Sequence, residues 1–171
     1  LGPEMKSTGE VMGVGDSFAE AFLKSQLAAN VKLPTKGKVF VSVKDGDKSR
    51  AVEIAQLFAG LGFAIVATRG TAAALAAAGV AVTAVNKVHE GQPHIVDMMK
   101  NDEIALVINT VQEKRTAVRD SFHIRREALT DQIPTYTTIA GARAAAVGIS
   151  RMGELVPYAM QTLHERQGGR R

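Results

Sequence analysis

The sequence has no cysteine and no tryptophan, and aromatic residues make up only 5% of its 171 positions. Without cysteine, a disulfide scaffold, a thiolate zinc site and a cysteine nucleophile are excluded together, and a reducing, cytoplasmic setting fits. So few rings leave few platforms on which bases can stack. The net charge of +4 falls to +1 once the three arginines of 166–171 are set aside. The basic character therefore belongs to one end of the chain rather than to a face, and nucleic acid is a poor candidate partner. No apolar run reaches the roughly 18 residues that a membrane span needs, because Arg, Lys, Asp or Gly interrupts each one. A membrane partner is not expected. The opening Leu1-Gly2-Pro3-Glu4-Met5 lacks the charged start and apolar stretch of a signal peptide, and the chain reads as a piece of something longer.

What is present is a hydrophobic share of 46%, enough for one packed domain that buries roughly 70% of its unfolded surface. Residues 1–36 read as a lead-in: a polar, glycine-containing loop, a short helix near 17–27 with Phe18, Ala21 and Phe22 on one face, and a linker that holds Pro34 and runs up to Gly37. Met12-Gly13-Val14-Gly15-Asp16-Ser17-Phe18 has no preceding strand and no third glycine, so it reads as a turn rather than a dinucleotide loop. From 37 to 166 the rhythm changes to β-branched apolar runs, each followed by a polar turn and an alanine- or leucine-rich helical pattern. Strands are expected near 39–43, 63–67, 80–85, 104–108 and 135–138. Helices are expected near 48–61, 71–78, 93–100, 117–130 and 140–149, with a closing helix near 153–165. Runs apolar at consecutive positions suit strands covered on both faces, so the expected fold is α/β, a three-layer α/β/α domain around a five-stranded parallel sheet. Residues 167–171 read as a disordered basic tail.

In such a sheet, ligands bind beyond the carboxyl ends of the strands. Four turns there carry cations or donors: Lys44-Asp45-Gly46-Asp47-Lys48, Thr68-Arg69-Gly70-Thr71, Asn86-Lys87 and Asn109-Thr110. The second joins a strand to a helix, so free helix N–H groups, two hydroxyls and the helix dipole can converge on one phosphate; an ordinary threonine cap is the plainer reading. Lys48 and Lys87 are placed to reach the same pocket as point charges, though either alone reads equally as a solvated lysine. Asn109 is suited to orienting a ribose hydroxyl or a base edge, or to a plain turn. The run His89-Glu90-Gly91-Gln92-Pro93-His94 lacks metal-ligand spacing, since Gly91 and Pro93 break any helix, and no metal site is expected. Arg125-Arg126 reads as a solvated or interdomain face.

Taken in order, these segments resemble the methylglyoxal-synthase-like domain at the carboxyl end of the carbamoyl-phosphate synthase large subunit. The resemblance rests on Val43-Lys44-Asp45-Gly46-Asp47-Lys48, Ala67-Thr68-Arg69-Gly70-Thr71-Ala72, Val85-Asn86-Lys87-Val88-His89-Glu90-Gly91-Gln92-Pro93-His94-Ile95 and Ile108-Asn109-Thr110. Before them, the stretch 3–13 resembles the end of that subunit's second ATP-using half. The resemblance implies strand order 3-2-1-4-5 and a regulatory module of a glutamine-dependent ligase that makes carbamoyl phosphate for pyrimidine and arginine synthesis. It implies binding of the monophosphates UMP, an inhibitor, and IMP, an activator, through Lys48, Thr68, Thr71, Lys87 and Asn109, and an ornithine contact at Thr137. One departure is Val111, where the family pattern has a second effector-contacting threonine. The implied partners are the preceding ATP-grasp domains, which would use ATP with magnesium, a glutaminase small subunit, and a possible second copy of the chain. No cofactor is implied for this segment itself.

A rival reading is an enzyme, because methylglyoxal synthase shares the fold and eliminates phosphate from a triose phosphate. That reaction needs a carboxylate base, and the synthase carries a Gly-Gly-Asp motif in the loop that here reads Asn86-Lys87-Val88-His89-Glu90-Gly91-Gln92. His89 and Glu90 are the candidate bases left by that reading.

Overall fold

A computed structural model describes residues 11–86, 90–92, 94–111, 115–155, 159, 161–162 and 165. In chain order the elements are α1 (Phe18–Ala28), β1 (Lys38–Ser42), a 3-10 turn (Asp45–Asp47), α2 (Lys48–Gly60), β2 (Ala64–Thr68), α3 (Arg69–Ala77), β3 (Val82–Val85), α4 (Ile95–Lys100), β4 (Ile104–Asn109), α5 (Arg115–Thr130), β5 (Thr135–Tyr136) and α6 (Ile139–Ser150), followed by a 3-10 turn at Met152–Glu154. The sheet has five parallel strands in the order β3-β2-β1-β4-β5. Fold class and strand order agree with the sequence reading.

Successive strand residues face opposite sides, so β1 feeds two cores at once. Val39 and Val41 join Ile65, Ala67, Leu106 and Ile108 under Ile54 and Phe58 of α2, Leu75 of α3 and Ala145 and Ile149 of α6. Phe40 joins Val66 and Val107 on the other side, under Ile95 and Met99 of α4 and Ile124 and Ala128 of α5. The alanines of α6 let that helix lie close to the sheet and to α1, whose Leu23 is fully buried. Phe22 of α1 stands 6.3 Å, centroid to centroid, from Tyr136 of β5.

The turns that return the chain from a helix to the next strand share one device. Gly62, Gly79, Asp102 and Gln132 all have positive φ, and the amide one residue later donates back to a carbonyl five residues earlier: Phe63 to Phe58, Val80 to Leu75, Glu103 to Met98 and Ile133 to Ala128. This is the left-handed stop that satisfies the last helical carbonyls. Gly62 and Gly79 adopt it without steric cost, whereas Asp102 and Gln132 bear the penalty of a Cβ. At the same edge of the sheet, the Lys38 ammonium donates to Glu103 Oε2 at 2.6 Å and holds that exposed carboxyl below its ordinary pKa.

Several boundaries differ from expectation, each for a local reason. β5 ends at Tyr136 rather than 138 because the Thr138 side chain caps α6, accepting from Gly141 N at 3.1 Å. β3 starts at 82 rather than 80 because Val80 serves the stop of α3. α4 starts at 95 rather than 93: His94 caps it, its Nδ1 accepting from Asp97 N at 3.4 Å while Asp97 Oδ2 accepts from His94 N at 2.9 Å. The expected closing helix at 153–165 gives way at its start to the 3-10 turn, its described positions 161, 162 and 165 are helical, and most of its remainder lies outside the described residues, as does the tail 167–171. No helix among the described residues is long and apolar enough to cross a membrane.

Burial pushes the Tyr136 phenol up to about 12, because an ionised phenolate is poorly solvated between β5 and α1. The neutral form is favoured in the folded chain, so the unfolded chain releases this proton first, near pH 10. Stability is accordingly full below pH 10 and declines as the pH rises from about 10 to about 12. Urea denaturation across that window is expected to show the decline in the wild type and a smaller one in Tyr136→Phe, with the two chains nearly equal at pH 7 because the phenol's bond to Gln26 Oε1 is long, at 3.4 Å.

Candidate functional site

The carboxyl ends of β1, β2 and β4 meet in a knot of small polar side chains. Ser42 ends β1 opposite Asn109 of β4, and the chain then turns through Val43 and Lys44 into the 3-10 turn that delivers Lys48 to the start of α2. Two buried hydroxyls hold this turn. Thr71 Oγ1, from the first turn of α3, accepts from Val43 N at 3.3 Å. Thr110 Oγ1, just past β4, accepts from Lys44 N at 3.1 Å, and Thr110 N donates to Ser42 O at 3.0 Å. Thr68 Oγ1 lies 3.3 Å from Thr71 Oγ1 and 3.5 Å from Ser42 Oγ, closing a chain of hydroxyls across the two strand ends.

Thr68 occupies the N-cap position of α3, yet its side chain makes no cap bond. Ser17, His94 and Thr138 do cap their helices, so the plain threonine-cap reading does not hold at α3. The first amides of α3 therefore face the strand edge without a side-chain acceptor from Thr68, at the positive end of the helix dipole. Lys48 Nζ stands over this point: a Cβ placed on Gly70 would lie 3.6 Å from it. The same ammonium is 2.8 Å from Asp45 Oδ1, an exposed carboxylate that an incoming anion would have to outcompete.

Of the residues singled out from sequence, the structure brings Lys48, Thr68 and Thr71 together. The two threonines are 4% and 2% exposed, so they form the buried wall of the turn rather than open donors on its surface. Asn109 is beside them across β1 but is committed elsewhere, its Nδ2 donating to Ser121 Oγ of α5 at 2.9 Å with both residues buried. Lys87 and His89 lie outside the described residues. Thr137 is exposed beyond the end of β5, on the far side of β4 from β2.

Sequence reasoning missed Ser42 and Ser121, and it missed the acceptor role of Thr110. Ser42 left a signal, a hydroxyl closing an otherwise apolar run; Ser121 left none, being twelve positions from Asn109 on a separate element. Arg125, expected on a solvated or interdomain face, is exposed but reaches back to donate to Asn109 O at 3.4 Å. Arg69, also unassigned, donates to Asn86 Oδ1 at 2.7 Å and so ties the start of α3 to the end of β3. Val111 opens into a cleft of about 510 Å³ lined also by Ser121, Phe122, Arg125, Arg126 and Leu129. Among the described residues no group of three or more His, Asp or Glu is placed to hold a metal ion.

These features define a parallel α/β domain whose strand ends carry a lysine, the start of a helix and a hydroxyl-lined turn. The chain belongs to the MGS-like domain family, whose model matches residues 50–137. It is 58% identical over 164 residues to the carbamoyl phosphate synthase large chain of Ralstonia nicotianae and 54% identical over 164 residues to that of Pseudomonas aeruginosa, each alignment covering 96% of this chain. The chain spans about 15% of the length of these curated relatives. A solved structure of methylglyoxal synthase from Elizabethkingia anophelis shares the fold, with a TM-score of 0.53 and 21% identity over 67% of this chain and 79% of that one.

The buried Asn109–Ser121 bond fastens α5 to the end of β4. Removing the amide leaves a buried hydroxyl without this partner, a loss of about 1–3 kcal/mol. Asn109→Ala and Ser121→Ala are each expected to lower the unfolding free energy by about that amount in urea titration, and an unchanged unfolding free energy in both contradicts the fastening role of the bond.

Proposed function

We propose that the chain is the regulatory domain of a cytoplasmic, glutamine-dependent carbamoyl phosphate synthase and that it binds a nucleoside monophosphate at the carboxyl ends of β1, β2 and β4. The observation that carries this reading is Lys48 Nζ standing over the first amides of α3 beside Gly70, in a chain whose relatives are large chains of that synthase. A phosphate monoester supplies the charge that a lysine and a helix amino end together favour. UMP and IMP are the effectors and Lys87 adds a second cation, while Asn109, buried and bonded to Ser121, would reach a ribose only by giving up that bond. Val111 substitutes an apolar wall for a hydroxyl, removing one hydrogen bond of about 0.5–1.5 kcal/mol from the effector. Thr137 contacts ornithine only when the preceding domains complete that second site.

Regulation follows from linkage. A nucleotide that prefers one arrangement of this domain against the preceding ATP-grasp domains shifts the equilibrium by the difference in its affinities, typically about 1–3 kcal/mol. Catalysis, with ATP, magnesium and the glutaminase small subunit, belongs to the rest of the assembly. Elimination of phosphate from a triose phosphate is disfavoured for this chain because the Gly-Gly-Asp motif of methylglyoxal synthase occurs nowhere in its sequence.

Calorimetric titration of the wild type is expected to show binding of UMP and IMP and at least tenfold weaker binding of uridine, which lacks the phosphate. Lys48→Ala is expected to weaken both monophosphates at least tenfold, about 1.4 kcal/mol, and to leave uridine nearly unchanged. Equal affinity for uridine and UMP, or no binding of either monophosphate, contradicts the proposal.

A further inference from the structure

We infer that Thr110 is a positioning residue of the anion site, acting through the turn that carries Lys48 rather than by touching the ligand. The inference rests on the monophosphate reading above and adds to it a residue that the sequence resemblance does not single out.

Thr110 grips the turn at two points. Its amide extends the β1–β4 ladder by donating to Ser42 O at 3.0 Å, and its hydroxyl oxygen accepts from Lys44 N at 3.1 Å. Thr71 takes the preceding amide, Val43 N, from the opposite side at 3.3 Å. Successive amides of an extended chain point in opposite directions, so two acceptors on opposite flanks fix the turn as one cannot. Thr110 is 8% exposed, which keeps water from replacing it freely.

From Lys44 the path to the ammonium is short. Lys44 O accepts from Asp47 N at 2.9 Å and closes the 3-10 turn, and Lys48 follows directly as the first residue of α2. Releasing Lys44 N frees this turn to rotate about the end of β1. Lys48 Nζ then loses its fixed place over Gly70, while the α3 amides, held by β2, stay where they are. The loss falls on recognition of the phosphate, because the base and ribose do not depend on Lys48.

Hydrogen exchange on the ligand-free 171-residue chain reads the clamp directly. In Thr110→Val the Lys44 amide is expected to exchange at least tenfold faster, with Phe40 and Val66 at wild-type rates, and Thr110→Ser is expected to restore Lys44 protection. Unchanged Lys44 exchange in Thr110→Val overturns the inference. If Thr110→Val loses protection throughout the sheet, Thr110→Ala is read by the same criteria. In titration, Thr110→Val is expected to bind UMP about tenfold more weakly with uridine unaffected, and Thr110→Ser to bind UMP like the wild type. Equal UMP affinity in Thr110→Val and wild type, or a parallel loss for uridine, overturns the positioning role. A wild type that binds neither UMP nor IMP overturns the nucleotide reading instead, and the exchange rates then decide whether the clamp exists.

Discussion

Val43 and Lys44 present their amides to opposite sides of the turn after β1, and Thr71 and Thr110 receive them at 3.3 and 3.1 Å. Much else at this edge of the domain follows. The two hydroxyls join β1 to its neighbours past the point where the sheet ladder ends, so the strand ends form a rigid rim and not three independent loops. The turn, held in place, sets Lys48 over the start of α3. Because Thr71 is spent on Val43, and Thr68 on its hydroxyl neighbours, the α3 amides are left without a side-chain cap. A buried polar network of this kind is favourable only when its members are satisfied, and no buried side-chain nitrogen or oxygen among the described residues lacks a partner.

The fold itself serves many chemistries, and its likeness to a methylglyoxal synthase at 21% identity establishes architecture alone. The regulatory reading proposed above draws on the content of the rim. Lysine, hydroxyls and helix amides are groups that suit a phosphate, whereas abstraction of a carbon-bound proton calls for a carboxylate in contact with substrate. Asp45 is engaged with Lys48 at 2.8 Å, and Asp47 stands 3.9 Å from Lys44. These carboxylates balance the local cations in the free domain, an arrangement suited to reversible exchange with an anionic ligand.

How far this could be read from sequence varied by residue type. Runs apolar at consecutive positions placed β1 and β4 to within a residue, because strands buried on both faces leave little room for any other pattern. The order of the strands came through resemblance and not periodicity, which is blind to neighbours in space. Short elements were harder. β5 loses half its expected length to the Thr138 cap, and His94, which invited a metal reading, is a helix cap. At the site, Lys48, Thr68 and Thr71 were legible as residues at strand ends. The roles were less so: in the free chain Thr71 receives the Val43 amide, Thr68 pairs with neighbouring hydroxyls, and Asn109 binds Ser121, a pairing across two elements that no local pattern announces.

A crystal structure of the chain with UMP bears most directly on where the anion sits. The phosphate is expected within hydrogen-bond reach of Lys48 Nζ and of the first amides of α3, with the Thr71 and Thr110 bonds to the turn intact. A phosphate bound elsewhere on the domain, or a turn that abandons both threonines to receive it, contradicts this picture.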